Sequence, residues 1–238
     1  MNPVLVLCYN QIDLTKKCVD AILAQTIPVH LTVVNNGSTD ATRQWLSDLS
    51  TFVSNVTVVH LDTNTAPTKI ANAMAAGIFS NSDHVLGVSN DAILPPNAYS
   101  ELLSHPEPLV GAMMWDQVEP PHCYQSQVVG TDVHTSVCIV RKSLYTTFMD
   151  RYGYYLDEGF FMYANDVDFK LRMIECGLTG AQTDVGCWHY GSATWRLAPP
   201  EEARRMLQQA DIDRAHFTRK WGFSIGSEEY NKALKGEK

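Results

Sequence analysis

The chain has 238 residues, of which 45% are hydrophobic and 18% charged, and its formal net charge is −8. This balance is typical of a globular chain with a sizeable core and excludes a disordered or fibrous one. Because the charge is acidic and no long Lys/Arg-rich run occurs, the sequence argues against extended binding to DNA or RNA.

The six cysteines are scattered, without the paired spacing of a metal finger. A chain of this length can fold without disulfides, so we expect reduced thiols and a cytoplasmic location. The first residues lack the basic and apolar regions of a signal peptide. No window reaches the roughly 18 apolar residues of a spanning helix, so we expect no transmembrane segment.

Short apolar runs alternate with helical patterns in the first half of the chain. The runs predict strands over residues 3–8, 30–34, 56–61 and 84–88. Asp13 is the predicted N-cap of a first helix, a second helix follows Ala41, and a third follows Pro67. This βαβ alternation predicts an α/β fold whose mostly parallel central sheet has helices on both faces.

The second half is less regular. Two more strands are predicted over residues 109–114 and 133–140, and a helix from Lys142. An acidic, aromatic segment over residues 158–176 runs into a helix, and residues 188–192 form a compact loop. Pro199 and Pro200 open a last helix that runs towards Trp221. The pattern predicts a single domain over residues 1–222 and a polar, frayed tail over residues 223–238.

Three polar segments follow predicted strands: residues 9–10, 35–40 and 89–91. Since ligands of such sheets bind at the carboxyl ends of the strands, we expect these segments to converge. The first turn carries neither a G-x-G-x-x-G nor a P-loop pattern, which argues against a dinucleotide dehydrogenase and a P-loop enzyme.

Five motifs in this order carry a family resemblance. They are YN at residues 9–10, NNGSTD at 35–40, SND at 89–91, DEGFFMYANDVDF at 157–169 and WHYGS at 188–192. Together they resemble the inverting glycosyltransferases of family 2, and the rhamnosyltransferase-like branch is the most similar. The resemblance implies a GT-A type, Rossmann-like three-layer sandwich, with a donor half over about residues 1–92 and an acceptor half over about 93–222.

In that family the third motif binds a divalent metal. The resemblance therefore implies that Asp91, beside Asn90, holds Mn²⁺ or Mg²⁺, and that His189 is a second ligand. A carboxylate with an imidazole suits Mn²⁺. Ser89 stands where the family has an acid. A turn role for Asp91 and a structural role for His189 are the alternatives.

Asp166 is the general base that the resemblance implies. It would remove the proton of the acceptor hydroxyl as this attacks the anomeric carbon opposite the diphosphate, which inverts that centre. Asn165 stands where the family has an acid, so Asp168 and Glu158 are alternative bases. Asp168 has a structural alternative of its own, because it can pair with Arg172 at i+4.

The donor implied by the resemblance is a nucleotide-diphosphate sugar, most readily a UDP-sugar. Tyr9 would stack on the base, and Asn35 would meet it where the family has Asp; Asn10, Ser38 and Asp40 would complete the donor site. The alternatives are a core aromatic for Tyr9, a tight turn for Asn35 and a helix-start acid for Asp40.

Residues 123–133 lie where such enzymes carry an acceptor loop, and Trp115, His122 and Tyr124 would offer aromatic faces to it. The acceptor is a glycan, a protein side chain or a hydroxylated DNA base. We expect transfer of a single sugar, because the chain lacks the long extensions of processive synthases.

Two other functions stay open. A nucleotidyltransferase should carry a basic, glycine-rich first loop, whereas this chain has CYNQ at residues 8–11. A binding module without turnover is suggested by Asn35, Ser89 and Asn165, which replace acids of the family.

Overall fold

The computed structural model describes residues 1–116, 133, 135–191 and 193–237. Within these ranges the strands are β1 (Asn2–Cys8), β2 (Val29–Asn36), β3 (Val56–Leu61), β4 (His84–Ser89), β5 (Ala92–Ile93), β6 (Leu109–Asp116), β7 (Val137–Arg141) and β8 (Gly180–His189). The helices are α1 (Ile12–Leu23), α2 (Thr42–Phe52), α3 (Pro67–Asn81), α4 (Ala98–Leu103), α5 (Lys142–Tyr152), α6 (Asn165–Glu175), α7 (Ala193–Arg196), α8 (Pro200–Trp221) and α9 (Glu228–Leu234).

The described strands form one sheet in the order β3-β2-β1-β4-β7-β6-β8-β5. β1 pairs in parallel with β2 and β4, and β2 pairs in parallel with β3. β7 is antiparallel to both of its neighbours, and β5 is antiparallel to β8. The sheet is therefore mostly parallel, as the βαβ pattern predicted, and β5 and β7 are its two reversed strands.

Helices cover both faces of this sheet. On one face α1, α2 and α4 bury the side chains that their 3.6-residue period places inwards, which are Cys18, Val19, Ile22, Leu46, Tyr99 and Leu102. On the other face α3, α5 and α6 contribute Ala75, Phe79, Leu144, Phe148, Phe169 and Met173. The expected three-layer sandwich is confirmed.

A third, smaller core lies between α6 and the last two helices. It contains Phe160 and Phe217, against which Trp221, Phe223 and Tyr230 pack. The expectation of a frayed tail is wrong, because these aromatic residues hold α9 in place and its first turn is capped by Ser227, whose Oγ accepts a hydrogen bond from the Tyr230 N–H at 3.1 Å. In the described part of the chain, no helix is long and apolar enough to cross a membrane.

The start of α1 also differs from the expectation. The helix begins at Ile12, after Gln11, so Asp13 lies in its first turn and is not the N-cap. Asn10 and Gln11 both have left-handed backbones, with φ of 55° and 59°. The Ile12 N–H donates to Asp40 Oδ2 at 3.3 Å. The partner for this helix start therefore comes from a distant segment, which a local pattern cannot reveal.

Candidate active site

The polar segments after β1, β2 and β4 meet at one edge of the sheet. Cys8 is paired with Asn35, and Leu7 with Ser89, so the three parallel strands end at the same level. The predicted convergence is confirmed. The side chains that reach this edge nevertheless divide into two groups with different surroundings.

The segments after β1 and β2 bind each other. Ser38 Oγ accepts a hydrogen bond from the Asn10 N–H at 2.8 Å, and Asn10 Oδ1 accepts one from the Thr39 N–H at 2.8 Å. Asp40 accepts from the Ile12 N–H and, at 3.0 Å, from the Thr42 N–H at the start of α2. These side chains hold two turns together, and for Asp40 this matches the helix-start alternative.

Asn35 faces the protein interior and is 0% exposed. Its Oδ1 accepts from the Ser38 N–H at 3.1 Å, and its Nδ2 lies 3.1 Å from His60 Nδ1. The other ring nitrogen of His60 lies 3.1 Å from Ser47 Oγ. Both ends of the Asn35 amide thus have internal partners, which favours the turn role over contact with a base.

Gly37 completes this turn with a φ of 75°. A Cβ at this position would lie 2.5 Å from the backbone carbon of Thr63. Asn36 also holds the β3–α3 connection close to this turn. Its Oδ1 accepts from the Thr65 N–H at 2.7 Å, and its Nδ2 donates to Asn64 Oδ1 at 2.9 Å. The β3–α3 connection therefore packs directly on the turn after β2.

Tyr9 lies apart from Asn35. Its half-buried ring lines a cavity of about 510 Å³ with Asn64, Phe161 and Glu202 among its walls. Burial raises the pKa of Tyr9, and the hydrogen bond with Glu202 raises this pKa further. Other lining residues of this cavity come from α8, so the last long helix forms one side of it.

Asn10 and Asp40 line a separate cavity of about 450 Å³, together with Tyr190. Tyr9 therefore faces one cavity while Asn10 and Asp40 face another, and neither of these two cavities includes Asp91 among its described walls.

Asp91 and His189 are brought together by pairing of β5 with β8. Ala92 is opposite His189, and the Tyr190 N–H donates to the Asp91 backbone carbonyl at 3.1 Å. His189 Nε2 lies 3.1 Å from Asp91 Oδ1, with side-chain exposures of 21% and 9%. Trp188 and His189 end a ten-residue strand, so the expectation of a loop starting at residue 188 is wrong there. Ser192 lies outside the described residues.

This pair fits a divalent metal. A carboxylate and an imidazole in contact are both usual ligands of Mn²⁺. The described ranges contain no group of three or more His, Cys, Asp or Glu side chains placed to hold an ion. Asp91 and His189 would hold the ion together with oxygen atoms of a bound diphosphate and water, as such ions commonly do at phosphate sites. Asn90 lines the same cavity as Asp91 and His189, and its Nδ2 donates to Thr15 Oγ1 at 3.0 Å.

Asp166 is exposed in the first turn of α6. The helix follows Ala164, whose left-handed backbone (φ 60°) turns the chain sharply, and Asn165 Nδ2 donates to the Met162 carbonyl at 2.9 Å. Asp166 lines a cavity of about 540 Å³ whose walls also include Asp91 and His189. The structure thus gathers the expected base and both expected metal ligands around one cavity.

The alternative bases have other partners. Asp168 is 1% exposed, and its carboxylate binds Arg172 Nε at 2.9 Å, Lys220 Nζ at 2.7 Å and Trp221 Nε1 at 3.0 Å. Its role is structural, as the i+4 pairing predicted. Glu158 is exposed and accepts from Asn72 Nδ2 at 3.0 Å.

Asp213 is a supporting residue that the sequence analysis missed. Its fully buried carboxylate accepts the backbone N–H groups of Phe161, Met162 and Tyr163 at 3.1, 2.9 and 2.7 Å. This fixes the turn that leads into α6 and Asp166. The only sequence signal was an acid at a position of α8 that its helical period turns inwards.

Two residues of α3 hold the same loop from its other side. Thr68 Oγ1 donates to the Phe160 carbonyl at 2.7 Å, and Asn72 pairs with the Leu156 backbone through both of its amide atoms at 2.8 Å. Of the expected acceptor residues, Trp115 lies in β6 opposite Trp188. His122, Cys123 and Tyr124 lie outside the described residues.

Comparison with solved structures identifies the fold. A mannosyltransferase from Pyrobaculum calidifontis, in complex with GDP-Man and Mn²⁺, is 16% identical over 98% of this chain and 68% of that chain, with a TM-score of 0.64. S. aureus TarS 1–349 in complex with UDP is 19% identical over 99% of this chain and 80% of that chain, with a TM-score of 0.62. The same TarS fragment in complex with UDP-GlcNAc is 18% identical over 98% of this chain and 78% of that chain, with a TM-score of 0.61.

The sequence itself has no match among curated proteins. Residues 4–113 match the family model described as glycosyl transferase family 2. This span contains β1 to β4, the turns after β1 and β2, and Asp91. The match over residues 4–113 agrees with the family resemblance carried by the sequence motifs in this span, and the similar solved structures show the GT-A fold.

Proposed function

We propose that this protein transfers a single sugar from a nucleotide-diphosphate sugar, in the first instance a UDP-sugar, to an acceptor hydroxyl, with a divalent metal and with inversion of the anomeric carbon. The observation that carries the proposal is the common cavity of Asp91, His189 and Asp166 at the carboxyl edge of the sheet. It supplies the two things the reaction needs, a place for charge on the leaving group and a base for the acceptor.

Asp91 and His189 would hold Mn²⁺ or Mg²⁺ near the donor diphosphate. When bound, the metal supplies positive charge that stabilises the leaving diphosphate. The complex of the mannosyltransferase neighbour with GDP-Man and Mn²⁺ supports this role. The UDP and UDP-GlcNAc complexes of TarS 1–349 support a nucleotide-diphosphate sugar as donor.

Asp166 acts as the base in this proposal. The acceptor O–H donates to its exposed carboxylate, and the oxygen attacks the anomeric carbon on the face opposite the diphosphate. A new C–O bond forms as the bond to the diphosphate breaks, and the proton passes to Asp166. The hydrogen bonds from residues 161–163 to Asp213 keep the start of α6 in position for this step.

Tyr9 contributes to the donor side. Its ring lines the cavity beside α8, where it offers a flat face to a nucleobase. Asn10, Ser38 and Asp40 support the donor site indirectly. Their hydrogen bonds hold the turns after β1 and β2 in place, and the nucleotide binds over these turns. Asn35 fixes the turn after β2 rather than reading the base.

A thermal-unfolding panel tests the donor and the metal together. The protein is measured with UDP, TDP, GDP and CMP, each with and without Mn²⁺. A ligand present at about 100 times its dissociation constant adds roughly 2.7 kcal/mol to the free energy of unfolding. We expect one nucleoside diphosphate to raise the Tm only with Mn²⁺.

Asp91→Asn is the matched variant for this panel and should lose the Mn²⁺-dependent part of the shift. A shift that is equal with and without Mn²⁺ in the unmodified protein would contradict the metal role. Absence of any shift would favour a binding module that has lost donor binding.

A further inference from the structure

The cavity that holds Asp91 and Asp166 continues deep into the molecule. It runs between α3 and the face formed by β1, β4 and β7, and reaches Val85 near the start of β4. From Ser89 to Val85 the strand advances about 13 Å at roughly 3.3 Å per residue. A sugar-transfer site at the mouth therefore opens into an elongated interior space.

The two ends of this space differ in chemistry. Two carboxylates and one imidazole among its described walls, those of Asp91, Asp166 and His189, are all at the mouth. Deeper in, the walls are apolar and include Leu5, Ala75, Ile78, Phe79 and Val140. Burial keeps the two ionisable groups of the deep part neutral, since it raises the pKa of Cys138 to about 12 and also raises that of Tyr155.

This difference decides what kind of group the deep part can accept. A sugar ring would lose its hydrogen bonds to water there and find only the Tyr155 hydroxyl and the Cys138 thiol as side-chain partners in the deep part, which costs free energy for each hydroxyl left unpaired. A hydrocarbon would be stabilised by leaving water, at about 0.8 kcal/mol per buried CH₂.

Gly87 is the second observation. It lies in the interior of β4, between Leu5 of β1 and Cys138 of β7, and it lines the cavity. A Cβ there would meet nothing closer than the Cys138 carbonyl oxygen at 3.8 Å, so no neighbouring backbone forces a glycine. Glycine weakens a strand interior, and where it occurs it often marks the approach of a ligand. Its missing side chain leaves room on the cavity floor.

We propose that the acceptor is a small molecule that carries both a reacting hydroxyl and a hydrocarbon group, and that the hydrocarbon group occupies the cavity above Gly87. This rests on the proposed function. The hydroxyl stays at the mouth, loses its proton to Asp166 and forms the new bond to the anomeric carbon, while the bond from that carbon to the diphosphate breaks. The apolar walls then select the acceptor by its non-reacting end.

The test compares octyl glucoside with methyl glucoside as acceptors, below the concentration at which the octyl compound forms micelles. With the nucleotide sugar chosen from the panel, we expect the KM for octyl glucoside to be at least about tenfold lower, because the chain buries several CH₂ groups. Gly87→Val fills the floor and should bring the ratio of the two KM values close to one. Gly77→Val is the matched control, since an added Cβ at this exposed glycine of α3 meets nothing within 4 Å.

A binding measurement separates this proposal from the proposed function. Calorimetry of octyl glucoside without donor should show binding to the unmodified protein and to Gly77→Val. Binding should be weakened at least about tenfold in Gly87→Val and in Ala71→Phe, which narrows the cavity from the α3 side. Binding with this pattern but no sugar transfer would leave the hydrocarbon site and overturn the proposed function. Equal KM values for both glucosides, or equal binding by all variants, would overturn the hydrocarbon site and leave the function.

Discussion

Two groups of side chains at the same edge of the sheet differ in how many hydrogen bonds their polar atoms make to the turns around them. The first rim is Asn10, Asn35, Ser38 and Asp40, and its polar atoms are largely paired with one another or with nearby backbone. The second rim is Asp91, Asp166 and His189, which line an open cavity. Polar residues that follow parallel strands can therefore either stabilise the turns at the edge of the sheet or face a ligand there. Their hydrogen-bond partners distinguish these two roles.

The difference has an energetic consequence. A polar group with internal partners leaves a buried atom unsatisfied when it is removed, so its loss reduces stability. A carboxylate that faces a cavity has few such partners, so its loss should reduce activity with little effect on folding. Substitutions in the two rims should therefore separate into stability effects and rate effects.

The largest expected effect is on the rate in Asp166→Asn. Removing a general base typically lowers kcat by about 10²–10⁴-fold. Donor binding and Tm should stay near those of the unmodified protein, because the side chain is exposed. Steady-state kinetics with the donor found in the panel measures the loss. Asp150→Asn, an exposed acid on α5, is the control, and near-normal turnover of Asp166→Asn would remove Asp166 from the mechanism.

Asp213→Ala should give the next largest effect, on stability and rate together. It leaves three backbone N–H groups without their carboxylate partner, which we expect to lower the free energy of unfolding by about 3 kcal/mol. Urea unfolding measures this. Since the freed turn leads into α6, kcat should fall while the KM for the donor changes little. An unchanged kcat in folded Asp213→Ala would show that the turn does not position Asp166.

Much of this arrangement could be read from the sequence, and the limits have physical causes. The strands of the first half follow from short apolar runs, and β3 has the expected bounds of residues 56–61. β8 was missed because its alternation is weak, with Gln182, Thr183 and Asp184 in the middle of the strand. β5 was not predicted either, so its pairing with β8 was unknown, although the family resemblance implied that Asp91 and His189 share a metal.

The long-range partners of the first rim could not be predicted. Asp40 caps a helix start 28 positions earlier in the chain, and Asn35 meets a histidine 25 positions later. A local pattern identifies a turn, but it does not show which side chains will form hydrogen bonds to distant parts of the chain. The prediction that Asn35 meets the nucleobase came from the family resemblance, because the family has Asp at this position.

Asn35→Ala is the direct test of the first rim. Losing both amide contacts in a buried position should lower the free energy of unfolding by about 2 kcal/mol, measured by urea unfolding. The KM for the donor should change little. A large rise in KM with unchanged stability would instead mean that Asn35 contacts the nucleobase and that the two rims act alike.

The smallest effect is the pH dependence that His60 gives to this rim. Burial, and then the nearby Arg43 charge, lower the pKa of His60 below its usual 6.5. Between the lowered value and 6.5 the unfolded chain binds more protons, so the free energy of unfolding falls as the pH falls through this window. The stability advantage of the unmodified protein over His60→Gln should therefore be largest above pH 6.5 and shrink below it.

The hydrogen bonds of His60 explain why its contribution to stability falls at low pH, and they suggest a substitution that should reverse this pH dependence. Ser47 Oγ donates to the Arg43 carbonyl, so it accepts from His60 Nε2–H, and the unprotonated Nδ1 accepts from Asn35 Nδ2. If His60 Nδ1 were protonated, its N–H and the Asn35 Nδ2 group would both be donors, and the hydrogen bond between them would be lost. In Asn35→Asp a carboxylate would face this nitrogen and favour the charged ring, so the contribution of His60 should be present at low pH and be lost as the pH rises through the raised pKa. If the free energies of unfolding of the unmodified protein and of Asn35→Asp changed in the same way with pH, Asn35 and His60 would not be coupled.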